Sequence, residues 1–220
     1  MWLAIYDIIR EDFGFSADED ASASTLLEVI AANNCCDIKT ISNLISGKVV
    51  AVVGAGPNCF KVRDVKADAI IAADGAMRCC LDQGVKPDIV VTDLDGLTEK
   101  ELIFDDVIYV VHAHGDNIHH LVRKAPLIKG CILPTSQAKF SSRSYILGGF
   151  TDGDRAAFLA IYFKASEILL VGFDLREHVG PYSKPWMNEP VPATGIKRKK
   201  LKWAIRLLDY LRDRIRDVGR

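Results

Sequence analysis

No apolar stretch in this chain reaches the ~18 residues a membrane-spanning helix needs, so no transmembrane segment is expected. The first residues, Met1-Trp-Leu-Ala-Ile-Tyr-Asp7, lack a basic region ahead of their apolar ones, which argues against a signal peptide. Net charge is also lacking. Lys and Arg number 28 against 29 Asp and Glu, so no global field points to nucleic acid or to a membrane surface. The six cysteines contain no C-x-x-C, which removes the spacing of zinc ribbons and thioredoxin-like sites. Cys35, Cys36, Cys59, Cys79, Cys80 and Cys131 are therefore expected to be buried reduced thiols in a cytoplasmic protein. No internal repeat or low-complexity tract is present. At 220 residues the chain is long enough for one substantial core with an appendage.

What is present is an alternation. Short aliphatic runs at Val49–Val53, Ala69–Ala73, Ile89–Thr92, Val107–Val111, Cys131–Leu133, Tyr145–Leu147 and Ile168–Val171 read as buried strands. Amphipathic stretches at Cys59–Val65, Ala76–Gln83, Asn117–Lys124 and Asp154–Lys164 read as helices between them. This pattern predicts an α/β, Rossmann-like fold, a mostly parallel sheet with helices on both faces. Residues 1–46 predict an N-terminal helical cap without chemistry of its own. Its third helix starts at Asp37 and the block ends at Gly47. Residues 47–175 form the predicted catalytic domain. Residues 176–220 comprise a Pro- and Gly-rich lid loop and a long basic helix from Gly195 to Arg220.

The polar residues fall where such sheets bind ligands, at the carboxyl ends of strands. Asp93 and Asp95, in Asp88-Ile-Val-Val-Thr-Asp-Leu-Asp-Gly96, share a face if strand geometry persists. Two carboxylates about 5 Å apart repel by roughly 3 kcal/mol at an effective dielectric near 20. A cation is therefore expected between them, and Mg²⁺ with polyphosphate is a common solution. Gly54-Ala-Gly-Pro-Asn58 follows the first strand, as a turn or as a phosphate-approaching loop backed by the next helix. Asp74-Gly75 follows the second strand, as a helix cap or a nucleotide contact. His112-Ala-His-Gly-Asp-Asn117 follows the fourth. Asp116 would add a carboxylate to the metal cluster, and His114 would touch phosphate or substrate. The same H-x-H-x-D opens the metallo-β-lactamase signature. That fold needs further histidines, and beyond His120 only His178 remains. In Gly149-Phe-Thr-Asp-Gly-Asp-Arg155, Thr151 or Asp152 can cap the helix that follows, and the carboxylates of Asp152 and Asp154 suit the paired N–H donors of a heterocycle. Asp174 follows the last strand. Lys197-Arg-Lys-Lys200 is a solvated face or a clamp over phosphates.

Ala73-Asp-Gly-Ala76 together with Lys86-Pro-Asp-Ile-Val-Val-Thr-Asp-Leu-Asp-Gly96 resembles the thiamin pyrophosphokinase pattern, with Thr92 and Gly96 in place of its Gly and Ser. Gly54-Ala-Gly-Pro, Thr-Asp-Leu-Asp-Gly96, His112-Ala-His-Gly-Asp-Asn117 and Val171-Gly-Phe-Asp174 are more similar to the archaeal 6-hydroxymethyl-7,8-dihydropterin pyrophosphokinases. That resemblance covers roughly residues 48–210. It implies Mg²⁺-dependent transfer of diphosphate from ATP to the pterin alcohol, within tetrahydromethanopterin or folate biosynthesis. Asp93, Asp95 and Asp116 would then hold Mg²⁺, with Asp74 assisting. Gly54, Gly56, Asn58 and Gly75 would line the cleft, and Lys197 would neutralise phosphate. Asp152, Asp154 and Asp174 would meet pterin or ribose, and Asp116 or His114 would serve as base. The partners are small molecules, not nucleic acid or membrane. Another alcohol such as thiamin, a non-catalytic nucleotide-binding module, and a homo-oligomer stay open.

Overall fold

The computed structural model describes residues 2–138, 143–173 and 178–218. The order begins with helices α1 (Trp2–Phe13), α2 (Ala17–Ala31) and α3 (Ile38–Ile45), followed by β1 (Val49–Val53), β2 (Ala69–Ala73), α4 (Ala76–Asp82), β3 (Ile89–Thr92) and β4 (Ile108–Ala113). Then come α5 (Ile118–Lys124), β5 (Ile132–Ser136), α6 (Asp152–Tyr162) and β6 (Glu167–Val171). A two-strand hairpin, β7 (His178–Val179) with β8 (Val191–Pro192), precedes α7 (Gly195–Tyr210) and β9 (Ile215–Asp217).

The main sheet has seven strands in the order β5-β4-β3-β2-β1-β6-β9, and every pairing in it is parallel. The predicted Rossmann-like architecture is present. Strand periodicity explains its two cores. On β3, Ile89 and Val91 enter one core while Val90 enters the other. On β4, Ile108 and Val110 oppose Tyr109 and Val111 in the same way. Helices α2 and α4 cover one face, α3 and α6 the other. Helix α1 joins Leu207 of α7 and Phe150 in a smaller apolar cluster through Tyr6 and Ile9. The chain steps outward from β1 to β5 and then returns to place β6 on the far side of β1. That reversal between β1 and β6 opens a crevice at the strand ends.

Several local expectations are corrected. Cys59–Asp64 is a 3-10 turn rather than an α-helix. Tyr145–Leu147 forms no strand. Tyr145 makes one isolated bridge to Thr135, and consecutive left-handed glycines at 148 and 149 end the extended path. Helix α7 stops at Tyr210, and Ile215–Asp217 then pairs with β6 at the sheet edge. His112 lies inside β4 rather than in the loop after it.

The thiols are not all reduced. Cys36 is bonded to Cys131 and Cys59 to Cys79, with Cα separations of 5.0 and 6.3 Å that suit such bonds. Cys35 and Cys80 are free. The folding of distant segments brings these pairs together, which spacing along the chain does not reveal. Among the described residues, no helix is long and apolar enough to cross a membrane.

Candidate active site

The carboxylates converge by a turn rather than by strand pleat. Strand β3 ends at Thr92, and Leu94 takes a left-handed φ of 70° although it is a fully buried leucine. Four hydrogen bonds hold this strained residue and its turn. The Leu94 N–H donates to Thr92 Oγ1 at 2.7 Å, the Asp95 N–H donates to Asp93 Oδ1 at 3.1 Å, and Lys124 of α5 donates to the carbonyls of Leu94 and Leu97, each at 2.6 Å. Asp74, at the end of neighbouring β2, also has a positive φ, of 49°. Its Oδ1 accepts from Thr92 Oγ1 at 2.6 Å. A Cβ on Gly96 would collide with the Asp74 carboxylate, so the turn needs glycine there. The result is one oxygen each from Asp74, Asp93 and Asp95 within 4.8 Å of one another.

This cluster carries its own countercharges. Lys184, from the segment after β7, pairs with Asp95. His114 Nε2 lies 3.5 Å from Asp93 Oδ2. Burial pushes Asp74 up to about 7, and the neighbouring Asp93 and Asp95 charges push the same way. Burial also raises Asp93, but the His114 hydrogen bond and the charges of His114 and Lys184 outweigh it and hold that carboxyl well below its usual range. Burial disfavours the Lys184 ammonium, and the attraction of Asp95 and Asp74 overcomes it, so its pKa is raised.

The cluster opens into a cavity of about 350 Å³. Its size suits a small-molecule ligand. Gly54, Gly56, Asp74, Gly75, Asp93, Asp95, His114, Asp116, Asp152 and Lys197 all line it, so most residues singled out from the sequence meet in one place. Three depart from expectation. Asp116 lines the cavity but is exposed and lies outside the carboxylate cluster. Asn58 is absent from the lining. Asp154 is fully buried as a helix cap, accepting from the N–H groups of Phe150 and Thr151 at 2.6 and 2.8 Å. With its carboxylate thus occupied, Asp154 faces the backbone rather than a ligand. Asp174 lies outside the described residues.

Three N–H groups of the glycine loop after β1 are already committed, Gly54 to Val171 O at 2.8 Å, Gly56 to Gly172 O at 2.9 Å, and Cys59 to Gly56 O at 3.0 Å. The loop shapes the crevice wall without offering these donors to an anion. His112 is fully buried on Thr135, Nδ1 to Oγ1 3.1 Å. Thr135 donates its own hydroxyl proton to Val111 O at 2.9 Å, so His112 donates from Nδ1. That structural role removes it from a zinc pair with His114. His119 and His120 lie on α5. Arg198 bonds the Ala193 carbonyl at 3.0 Å, which leaves Lys197 and Lys200 as the cavity-lining cations of the basic stretch.

Sequence reasoning missed three contributions. Lys184 was hidden in a loop with no periodic signal. Arg155 pairs with Asp152 at 3.1 Å and fixes that carboxylate at the cavity wall. The N-terminal helices are not chemically inert, because Tyr6, Phe15, Glu19 and Asp20 line the cavity. Asp20 is buried, accepts from the Tyr6 hydroxyl, and accepts the Gly115 N–H at 2.9 Å.

The family profile described as "6-hydroxymethylpterin diphosphokinase MptE-like" matches residues 24–180. The chain belongs to this family. Its relatives include the 6-hydroxymethyl-7,8-dihydropterin pyrophosphokinase of Pyrococcus furiosus, 44% identical over 219 residues, covering 96% of this chain and 93% of that protein. The protein of the same name from Methanothermobacter thermautotrophicus is 40% identical over 222 residues, covering 96% and 94%. That from Methanocaldococcus jannaschii is 38% identical over 234 residues, covering 97% and 95%. Among solved structures, a thiamin pyrophosphokinase from Geobacillus thermodenitrificans is 19% identical with a TM-score of 0.39, covering 77% of this chain and 59% of that one. Membership of a diphosphokinase family makes the chain an enzyme of that class.

Proposed function

We propose that the protein transfers diphosphate from ATP to the hydroxymethyl group of 6-hydroxymethyl-7,8-dihydropterin, with Mg²⁺, giving the pterin diphosphate and AMP. The observation that carries this reading is the cluster of Asp74, Asp93 and Asp95 beside cavity-lining lysines at the sheet's carboxyl edge. Three hard oxygen donors so close together fit a magnesium ion, and these residues would hold it. When bound, the ion supplies countercharge to the polyphosphate and polarises its oxygens.

The chain's own groups do the rest. Lys184, Lys197 and Lys200 face the same space as the carboxylates and neutralise phosphate oxygens. Phe15, Phe150 and Phe173 give the cavity an apolar side suited to a flat heterocycle, and Asp152, held by Arg155, is placed to accept its N–H donors. The acceptor oxygen forms a bond to the β-phosphorus. The bond from the β-phosphorus to the oxygen it shares with the α-phosphorus breaks, its electron pair leaves on that oxygen as part of AMP, and the hydroxyl proton passes to a base. The base assigned is the neutral form of His114, which lines the cavity beside Asp93. Holding acceptor and donor in line supplies much of the acceleration.

A coupled assay of AMP release tests the reading with the pterin alcohol and thiamin as competing acceptors. AMP formed with the pterin alone supports it. AMP formed only with thiamin transfers the chemistry to another acceptor. Nucleotide binding without AMP from either acceptor makes the protein a binding module. Asp95→Asn is expected to lower turnover at limiting Mg²⁺ by about 100-fold or more, comparable to or beyond the loss seen on removing an outer-shell partner of a metal site. Full turnover in that variant removes Asp95 from the metal site.

A further inference from the structure

Lysine is rarely withdrawn from solvent without a partner. The Lys184 side chain is only 26% exposed, and its ammonium rests on Asp95. The backbone carrying it is anchored at several points. Arg78 donates to Gly96 O at 2.6 Å and to Tyr182 O at 2.8 Å, tying the turn after β3 to the segment above it. The Tyr182 hydroxyl donates to Asp82 at 2.7 Å. A Cβ on Gly75 would collide with Tyr182 O, and one on Gly180 would collide with Ala55 O. The segment therefore lies flat against the loops after β1 and β2, and it delivers Lys184 to one place.

Lys184 and His114 are the two partners of three carboxylates, so with Asp74 ionised an excess of negative charge remains in the cluster. A divalent cation concentrates more charge than an ammonium and binds more than one carboxylate oxygen at a time. A cation seated on the cluster would therefore compete with Lys184 for Asp95. The lysine stem is flexible, and its head turns to a new anion without moving the anchored backbone. The anion arriving with the metal is the polyphosphate.

We propose that Lys184 is a phosphate-binding residue of the transfer reaction, and that before metal and nucleotide arrive its ammonium occupies the cation's place on Asp95. The inference rests on the proposed metal–nucleotide reading of the cavity. It adds an exchange of partners: Asp95 passes from lysine to metal, and Lys184 passes from Asp95 to phosphate. Lys184 thus weakens metal binding alone and strengthens metal–nucleotide binding.

Mn²⁺ is the probe, because its free-ion electron paramagnetic resonance signal reports binding without turnover. In the full chain, Lys184→Met is expected to bind Mn²⁺ alone about tenfold more tightly, and to bind Mn²⁺ with a non-hydrolysable ATP analogue about tenfold more weakly. Lys184→Arg keeps the competing charge and is expected to bind Mn²⁺ no more tightly than wild type. Circular dichroism checks folding, and Lys184→Gln replaces Lys184→Met if the latter is unfolded. Unchanged or weaker Mn²⁺ binding in the neutral variant overturns the proposal, as does unchanged nucleotide affinity or tighter Mn²⁺ binding by Lys184→Arg. Wild-type AMP release is scored separately. Opposed shifts in Mn²⁺ and nucleotide affinity without AMP release sink the reaction while keeping the exchange. AMP release without those shifts sinks the exchange alone.

Discussion

Thr92 gives its hydroxyl proton to Asp74 at 2.6 Å and receives the Leu94 N–H at 2.7 Å on the same oxygen. One buried hydroxyl thus joins two strand ends and supports a leucine in a left-handed conformation.

Replacing Thr92 by valine preserves shape and removes both bonds. The buried Leu94 N–H then has no acceptor, at a cost of about 1–3 kcal/mol in stability. Asp74 also loses the donor that orients it, and Mn²⁺ affinity is expected to fall by about 10- to 100-fold. Thr92→Ser should restore most of both. Thermal melts and a metal titration measure the two effects, and an unaffected metal affinity detaches Thr92 from the site.

Asp20 ties α1 and α2 to the loop carrying His114, through Tyr6 and Gly115. Tyr6→Phe should cost about 1 kcal/mol and Asp20→Ala about 1–3 kcal/mol. Because they share one hydrogen bond, the double variant should lose less than the sum. Denaturant unfolding of the four proteins closes the cycle. Strict additivity contradicts the link.

Burial, with the nearby Arg155 and His114 charges, pushes the His112 pKa well below its ordinary 6.5. The folded protein therefore keeps His112 neutral where the unfolded chain takes up a proton. The stability it contributes is present above pH 6.5 and is lost as pH falls below it, by at most about 1.4 kcal/mol per pH unit. Asp74, raised from 3.8 to about 7, acts in the opposite sense, since its folded form holds a proton that the unfolded form releases. The readout is therefore the difference between wild type and His112→Asn, which places an amide nitrogen near the position of Nδ1. The variant should lose less stability than wild type between pH 7 and pH 5 in denaturant titrations without metal. Parallel pH profiles contradict a neutral buried His112.

Thiol titration of the denatured, unreduced protein should detect two groups, Cys35 and Cys80. Reduction should lower stability by about 2–4 kcal/mol for each bond broken. The Cys36–Cys131 bond joins positions 95 residues apart, against 20 for Cys59–Cys79, so loop-closure entropy assigns it the larger share. Six reactive thiols without reductant contradict both bonds.

The sheet was legible because buried parallel strands such as Val49–Val53 are almost wholly aliphatic. Asp74, Asp93 and Asp95 were legible because acids directly after such strands have few structural reasons to be there. Their meeting was foreseen, but the route was not, since nothing in the spacing reports the left-handed turn at Leu94. Asp154 was misread because a capping carboxylate and a ligand-facing one look alike in a helix's first turn. Lys184, Asp20 and the disulfide partners were invisible because each depends on a contact between segments far apart in sequence. Strand β9 followed a helical stretch, and its three residues carry too little periodicity to mark the change.

The cavity's two kinds of wall come from different parts of the molecule. Its three clustered acids stand at the tip of β2 and in the turn after β3, whereas Phe15, Lys184 and Lys200 come from the chain's flanks. An engineer seeking a new acceptor can therefore recarve the flanks and leave the rigid acidic seat alone. Selectivity becomes an upholstery problem fitted to a fixed frame.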